Sequence, residues 1–225
     1  MKLRKGLIVA GVLGMSLIFS ACQATDVIGK AAVISFEELL EVSSDKLSFD
    51  TEANTWVLES PAGDKFKWSK DFSITEADGI IEFKASPFIN AGLDVTKLPE
   101  NYIYDDVKDI LTLNFELGED KFNYSGEATA LDSFKNIVQA KRELIGYHEA
   151  FDHYGITLGD GNKFEWAKDM DNNNKDIVFV LEPKPFIEAG VDPKQVEGWV
   201  FGKVEMKDNG NIVEMEKFLK PFDVK

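Results

Sequence analysis

The chain has 225 residues, of which 25 are basic and 40 are acidic, so its formal charge at pH 7 is −15. A surface of this sign repels nucleic acid and anionic lipid headgroups, so we expect no nucleic-acid partner. We interpret it first as a solvated acidic surface, and cations or cationic partners are the alternative. An apolar content of 44% with 17 Phe is normal for a globular protein and excludes wholesale disorder.

The first 21 residues have the layout of a signal peptide. Lys2, Arg4 and Lys5 form a positive start, and residues 6–19 form an uncharged, mostly apolar run. This run is too short for a comfortable transmembrane helix, whereas it suits the apolar region of a signal peptide.

Residues 19–22 read Phe-Ser-Ala-Cys. This segment resembles the lipobox of bacterial lipoproteins, in which Leu is usual where Phe19 stands. The resemblance covers these positions only, and it implies cleavage before Cys22, lipid on the Cys22 sulfur and an extracytoplasmic location on a bacterial membrane. Two or three acyl chains hold a protein firmly, because each buried methylene contributes about 0.8 kcal/mol.

The mature chain would begin at Cys22, which is the only cysteine, so no disulfide forms within it and its stability must come from core packing. Cleavage would leave 22 basic and 40 acidic side chains, a formal charge of −18. We expect residues 22–33 to be a short lipid-anchored tether that holds the following domain near the membrane.

The chain also contains an internal duplication with an offset of 98 residues. The segment GDKFKWSKD, which starts at Gly63, aligns with GNKFEWAKD, which starts at Gly161, with six identities in nine positions. The segment PFINAGLD, which starts at Pro87, aligns with PFIEAGVD, which starts at Pro185, with six identities in eight. Because no gap separates the two blocks, we predict two tandem copies of one unit.

The predicted units are 34–128 and 129–225, and each begins with a helix. Ser35–Glu41 has a possible Ser cap followed by an apolar face, and Asp132–Tyr147 has apolar side chains at helical spacing. The motif PFI-x-AG further along each unit predicts a short helical turn, with Pro at its start and Gly at its stop.

The predicted strands are short segments on either side of Gly-containing turns, which is typical of hairpins. In the first unit they are Thr55–Glu59, Lys65–Ser69, Ile80–Lys84 and Ile110–Leu117. In the second unit they are Tyr154–Leu158, Lys163–Ala167, Asp176–Glu182, Trp199–Met206 and Ile212–Met215. The fold class is therefore α+β, with two tandem homologous units that are each a short helix plus mainly antiparallel sheet.

The repeated aromatic block allows two interpretations. Phe66 and Trp68 lie two apart and share one face of a strand, and the same holds for Phe164 and Trp166. They form either a core pair between sheet and helix, or an aromatic platform for a sugar, a peptide or a flat ligand. The candidate ligand-binding residues of the block and its last position are Phe66, Trp68, Asp71, Phe164, Trp166 and Asp169.

The Asp-rich segment after the second block suggests a cation. Alternating oxygen side chains at Asp169, Asp171 and Asn173 resemble the start of a calcium loop. The resemblance is limited to these positions, because Asn174 and Val180 stand where such a loop has Gly and Glu. Ca2+ is thus a candidate cofactor, and a polar loop without metal is the alternative.

Motifs of catalysis are sparse. His148 and His153, the only histidines, are five apart, whereas metal-binding histidines on a helix are usually four apart. The mature chain has no thiol besides Cys22, no Gly-rich phosphate loop and no G-x-S-x-G motif. We predict no catalytic residue, although the many carboxylates leave carboxylate-pair chemistry open.

These observations favour a non-catalytic lipoprotein that binds an unknown ligand or envelope protein, in a groove between the two units. Two alternatives stay open from the sequence. One is a carboxylate-dependent envelope hydrolase, and the other is a structural or assembly lipoprotein.

Overall fold

The computed structural model describes residues 21–70, 79–115, 128–171, 175–208 and 211–224. Within these ranges the chain forms two six-stranded antiparallel sheets and four α-helices. One sheet comes from each predicted unit, which confirms an α+β fold of two similar copies.

The two copies have the same element order. The first copy contains α1 (Ala21–Val42), β1 (Leu47–Asp50), β2 (Thr55–Glu59), β3 (Lys65–Ser69), β4 (Gly79–Lys84), α2 (Ser86–Asn90), β5 (Tyr102–Asp105) and β6 (Ile110–Phe115). The second copy contains α3 (Ala130–Ala140), β7 (Ile145–His148), β8 (His153–Thr157), β9 (Lys163–Ala167), β10 (Ile177–Leu181), α4 (Lys184–Glu188), β11 (Val200–Asp208) and β12 (Asn211–Phe222). The strand orders, β1-β2-β3-β4-β6-β5 and β7-β8-β9-β10-β12-β11, are equivalent.

The central strands follow the sequence prediction. Strands β2, β3 and β9 have the predicted bounds. Strand β4 differs from the prediction by one residue at its start, and β8 and β10 differ by one residue at each end. The two PFI motifs form α2 and α4. Gly92 and Gly190 follow these helices with φ of +105° and +102°, a left-handed conformation that only Gly adopts without strain.

Helix α1 is longer than the sequence predicted. It begins at Ala21, so residues 22–33, the predicted tether, are helical. Ser35 lies inside the helix and does not cap it, and its hydroxyl donates to the carbonyl of Ala32 at 3.1 Å. The early start has a physical reason, because this half of α1 packs Ala32 into the core.

Helix α3 is shorter than the sequence predicted. Thr129 caps it in a reciprocal capping box with Asp132, and it ends at Ala140 instead of continuing to Tyr147. Residues 145–148 form β7 because they pair with β8, and this pairing overrides the helical spacing of their apolar side chains. The edge strands β1, β5 and β7 were all missed.

Each helix packs on the sheet of the other copy. Helix α1 contacts β7, β8 and β9, and α3 contacts β3. The indole Nε1 of Trp166 donates to Ser35 Oγ at 2.7 Å, and that of Trp68 donates to the carbonyl of Ala130 at 3.3 Å. Phe36 and Phe134 also contact Trp68 and Trp166 of their own copies, so both copies contribute to one hydrophobic core.

Equivalent residues of the two copies meet in pairs at the centre of this core. Because the partner of each residue is the same residue type 98 positions later, the contacts define a local two-fold axis. The ring centroids are 3.6 Å apart for Phe36 and Phe134, 3.9 Å apart for Phe66 and Phe164, and 4.6 Å apart for Phe88 and Phe186.

The backbone continues this symmetry. The N–H of Asp94 donates to the carbonyl of Ala189, and the N–H of Asp192 donates to the carbonyl of Ala91, both at 2.8 Å. These reciprocal hydrogen bonds bring the segments after α2 and α4 into direct contact. The axis therefore leaves little room for added side-chain atoms.

We predict that Gly92→Ala destabilises the protein more than Gly198→Ala. A Cβ at Gly92 would lie 2.7 Å from the carbonyl oxygen of Gly190, whereas a Cβ at Gly198 meets nothing within 4 Å. Both glycines have positive φ, so backbone strain affects both variants, and only Gly92→Ala adds a clash. In urea denaturation we expect Gly92→Ala to lose at least about 2 kcal/mol more. Equal losses would contradict a close approach at the axis.

Candidate functional site

The aromatic candidates lie inside the core. Phe66, Trp68, Phe164 and Trp166 are at most 1% exposed. Phe66 stacks on Phe164 across the local axis, each Trp stacks on the Phe of its own copy, and both indole N–H groups have hydrogen-bond acceptors. They consequently form the core pair that the sequence allowed, and they do not form a platform that a ligand in solvent can reach.

The acidic candidates show local hydrogen bonding. Asp169 Oδ1 accepts the N–H of Asp171 at 2.9 Å, as in a polar turn. Asp71 and Asn173 lie outside the described residues. Among the residues that the structure describes, no group of three or more His, Cys, Asp or Glu is placed to hold a metal ion. Calcium binding stays a prediction.

The lipid-anchor candidate lies at the start of the described chain. Cys22 is in the first turn of α1, and the rest of the predicted signal peptide, residues 1–20, lies outside the described residues. No helix in the described part of the chain is long and apolar enough to cross a membrane. Anchoring through Cys22 stays a prediction.

The second copy has a pocket of about 290 Å3 on the face of its sheet that points away from the core. We call it the copy-two pocket. It lies over β7, β8 and β9, with one residue of β11 on its wall. Its lining residues are Gly146, Tyr147, His148, Glu149, Ala150, Gly155, Thr157, Lys163, Glu165 and Glu205.

Strand register creates the floor of this pocket. Gly146 pairs with Gly155 across β7 and β8, and Gly155 pairs with Glu165 across β8 and β9. Two adjacent glycines leave a strip of sheet without side chains. The strip admits the Glu165 side chain, because a Cβ at Gly155 would lie 2.9 Å from Glu165 Cγ.

The roof comes from the opposite edge of the sheet. His148 is on edge strand β7 and Glu205 is on edge strand β11, five strand spacings away in the sheet order. In a flat sheet that separation is roughly 24 Å. The Nε2 atom of His148 nevertheless lies 3.1 Å from the Glu205 carbonyl oxygen, so the β11–β12 hairpin bends across the outer face to reach β7.

His148 connects this roof to a buried carboxylate. Its Nδ1 is 3.2 Å from both carboxylate oxygens of Glu165, which is 1% exposed. A carbonyl oxygen and an ionised carboxylate accept hydrogen bonds but do not donate them. The two ring nitrogens of His148 thus each face an oxygen acceptor, one on β9 and one on β11.

Two further groups at this face are affected by burial. Burial lowers the pKa of the Lys163 ammonium below its ordinary value, because removal from water disfavours the charge. Burial also lowers the pKa of His153, whose Nδ1 has no hydrogen-bond partner among the described residues. Lys163 lines the pocket and His153 lies beside it as the cross-strand neighbour of His148.

The first copy provides an internal reference for these features. Positions 146, 155 and 165 correspond to Ser48, Val57 and Lys67, and Lys67 forms a 2.5 Å ion pair with Glu82. The hairpin is also shorter there, since β5 and β6 have 4 and 6 residues against 9 and 12 in β11 and β12. The two glycines, the buried Glu165 carboxylate and the long β11–β12 hairpin thus occur together in the second copy.

A second candidate is the groove between the two helices, which matches the predicted location between the units. It is an open groove of about 590 Å3 between α1 and α3. Val33, Ile34 and Val138 line it, with Lys30 and Arg142 also present. It has no buried polar group that faces a ligand, so we place the site in the copy-two pocket.

Sequence reasoning considered His148 only as a weak metal ligand and missed Glu165, Lys163 and the glycines. Gly146 and Gly155 are nine positions apart in the chain and become neighbours only through strand register. A usable signal was present, because Gly within a strand often marks close approach of a ligand or another group.

Comparison with known proteins gives no family. No protein-family model, no curated protein and no solved structure matches the chain. The interpretation of the pocket therefore relies on its own geometry and on the comparison between the two copies.

We predict that His153 makes stability fall as the pH is lowered. Its pKa is lower in the folded protein than in the unfolded chain, so the unfolded chain binds the proton first and is favoured below the ordinary His value. Denaturation between about pH 7.5 and 5.5 should show a smaller loss of unfolding free energy in His153→Gln than in the unmodified protein. Identical pH dependence in the two proteins would contradict a buried, neutral His153.

Proposed function

We propose that the chain is a non-catalytic binding protein, anchored to the outer side of a bacterial membrane through Cys22, and that the copy-two pocket binds its ligand. The anchor is supported by the lipobox-like segment before Cys22. The binding site is supported by the geometry of the pocket and by its charged lining.

The observation that carries the proposal is the difference between the copies. Both copies use the same strand order, and residues near the local axis are the same in both. Away from the axis, Val57 of the first copy corresponds to Gly155, and this change opens the floor of the pocket. The strand order does not require the glycine, because the first copy has the same strand order with Val57 opposite Lys67, whereas Gly155 lies opposite Glu165.

The geometry favours binding over hydrolysis. Glycosidase-type chemistry needs two carboxyl groups on either side of a substrate, about 5–10 Å apart. Glu165 is almost fully buried, and both its oxygens contact the His148 imidazole. A carboxylate held in this way supports the wall of a pocket and is not free to act on a substrate.

We predict that Gly155→Val blocks binding. The new side chain occupies the floor, and because its Cβ would lie 2.9 Å from Glu165 Cγ, the Glu165 side chain has to shift. Small molecules extracted with the native protein, or taken from a mixed metabolite set, should perturb the backbone amide NMR signals of Gly146 and Gly155 in the unmodified protein. Gly155→Val should lose these changes, whereas Gly202→Val, on β11 outside the pocket lining, should retain them.

Two outcomes would contradict the binding function. One is unchanged ligand binding in Gly155→Val, which would place the ligand elsewhere. The other is turnover of a substrate by the purified protein that a single carboxylate substitution abolishes, which would favour the hydrolase alternative.

We predict that Cys22→Ser abolishes the anchor. In a bacterial host, the protein that retains Cys22 should have the intact mass of residues 22–225 plus a diacylglycerol and an acyl chain. Phe19 at the third position before the cut is unsuited to the ordinary signal peptidase, so Cys22→Ser should accumulate as the uncut precursor. Ser20→Ala is the control and should be lipidated. Absence of lipid from the protein that retains Cys22 would contradict the anchor.

A further inference from the structure

We propose that the copy-two pocket takes a small ligand with a single carboxylate group, and that Lys163 is the counter-charge for this group. This inference rests on the proposed binding function and specifies the chemical class of the ligand. It follows from a cross-strand ion pair that is present in the first copy and incomplete in the second.

The ion pair of the first copy is between neighbouring strands. Glu59 on β2 pairs with Lys65 on β3 in the strand register, and their charged atoms are 3.6 Å apart. The equivalent pair in the second copy is Thr157 on β8 and Lys163 on β9. Both copies thus have the lysine, but the second copy has Thr157 where the first copy has Glu59.

The replacement leaves Lys163 without a direct counter-ion. In the described part of the chain no carboxylate oxygen lies within ion-pair distance of its Nζ. The carboxylate of Glu165 attracts it, but both oxygens of that carboxylate contact His148. Lys217 lies close enough to repel it.

A partly buried ammonium without a partner is unfavourable in the free protein. Burial lowers the pKa of Lys163, which reports this cost in the folded state. An anion in the pocket would remove this cost, because it would take the place that the Glu59 carboxylate has beside Lys65 in the first copy. Thr157 lines the same pocket and offers a hydroxyl group that can donate to the anion.

Charge and volume limit the size of the ligand. Glu149 and Glu205 line the pocket as well, and the whole chain is strongly acidic, so a second negative charge on the ligand is repelled. The pocket volume of about 290 Å3 is at the lower limit of the range for small-molecule sites. A monocarboxylate or an amino acid, whose ammonium group suits the glutamates, meets both limits.

The test uses the mature chain and defined probes. Butyrate and glycine represent a monocarboxylate and a zwitterion, succinate represents a dicarboxylate, and inorganic phosphate represents the other common oxyanion. Affinity is measured from the backbone amide shifts of Gly146 and Gly155. We expect saturable shifts with butyrate, glycine or both, and at least about tenfold weaker binding of succinate and phosphate.

Matched variants identify the contribution of Lys163. We expect Lys163→Met to weaken carboxylate binding at least about tenfold, whereas Lys65→Met, at the equivalent position of the first copy, leaves it unchanged. Thr157→Glu restores the carboxylate of the first copy and should also prevent binding, while thermal unfolding shows that the variant is folded. This second variant separates loss of the counter-charge from loss of the fold.

The outcomes separate this inference from the proposed function. Equal carboxylate affinity in Lys163→Met and Lys65→Met would overturn the role of Lys163. Binding of amines or neutral molecules in the pocket, with no binding of carboxylates, would overturn the ligand class and leave the pocket as a binding site. If neither these probes nor native extracts perturb the pocket, both proposals are wrong. Preference for phosphate over butyrate and glycine would overturn the carboxylate assignment alone.

Discussion

The structure depends on a contact that each copy makes with the equivalent residues of the other. Phe36 stacks on Phe134, and Phe88 packs on Phe186, so a residue on the local axis always meets its own counterpart. A change at such a position in one copy alters a contact that both copies share. Close packing of this kind tolerates few changes in volume. Replacement of a buried Phe by Ala typically lowers the free energy of unfolding by about 3–5 kcal/mol.

The exchange of helices makes this contact obligatory. Because α1 covers the second sheet and α3 contacts the first, neither sheet has a complete apolar cover without the other copy. The indole hydrogen bonds of Trp68 and Trp166 also cross between the copies. A duplicated chain that folds in this way has one core, and its outer sheet faces are the places where the two copies can differ without disturbing that core.

The sequence was informative where local pattern alone determines structure. Strands β2, β3 and β9 lie on either side of Gly-containing turns, and the PFI motifs contain their own start and stop residues, so both kinds of element were predicted. The length of α1 and the end of α3 depend on contacts with distant parts of the chain. Trp68 was ambiguous for the same reason, because Phe36 and Ala130, which contact its indole, are distant from it in the chain.

The pocket shows how substitutions on the outer face of one copy can create a candidate binding site. In the first copy, Val57 fills the sheet face and Glu59 neutralises Lys65, so the face is closed and its charges are satisfied. In the second copy, Gly155 and Thr157 remove volume and one carboxylate at two positions of a single strand. Space and an unsatisfied charge therefore arise side by side. The cost of the uncompensated charge falls on the outer face of the sheet, where the packing of the shared core does not depend on it.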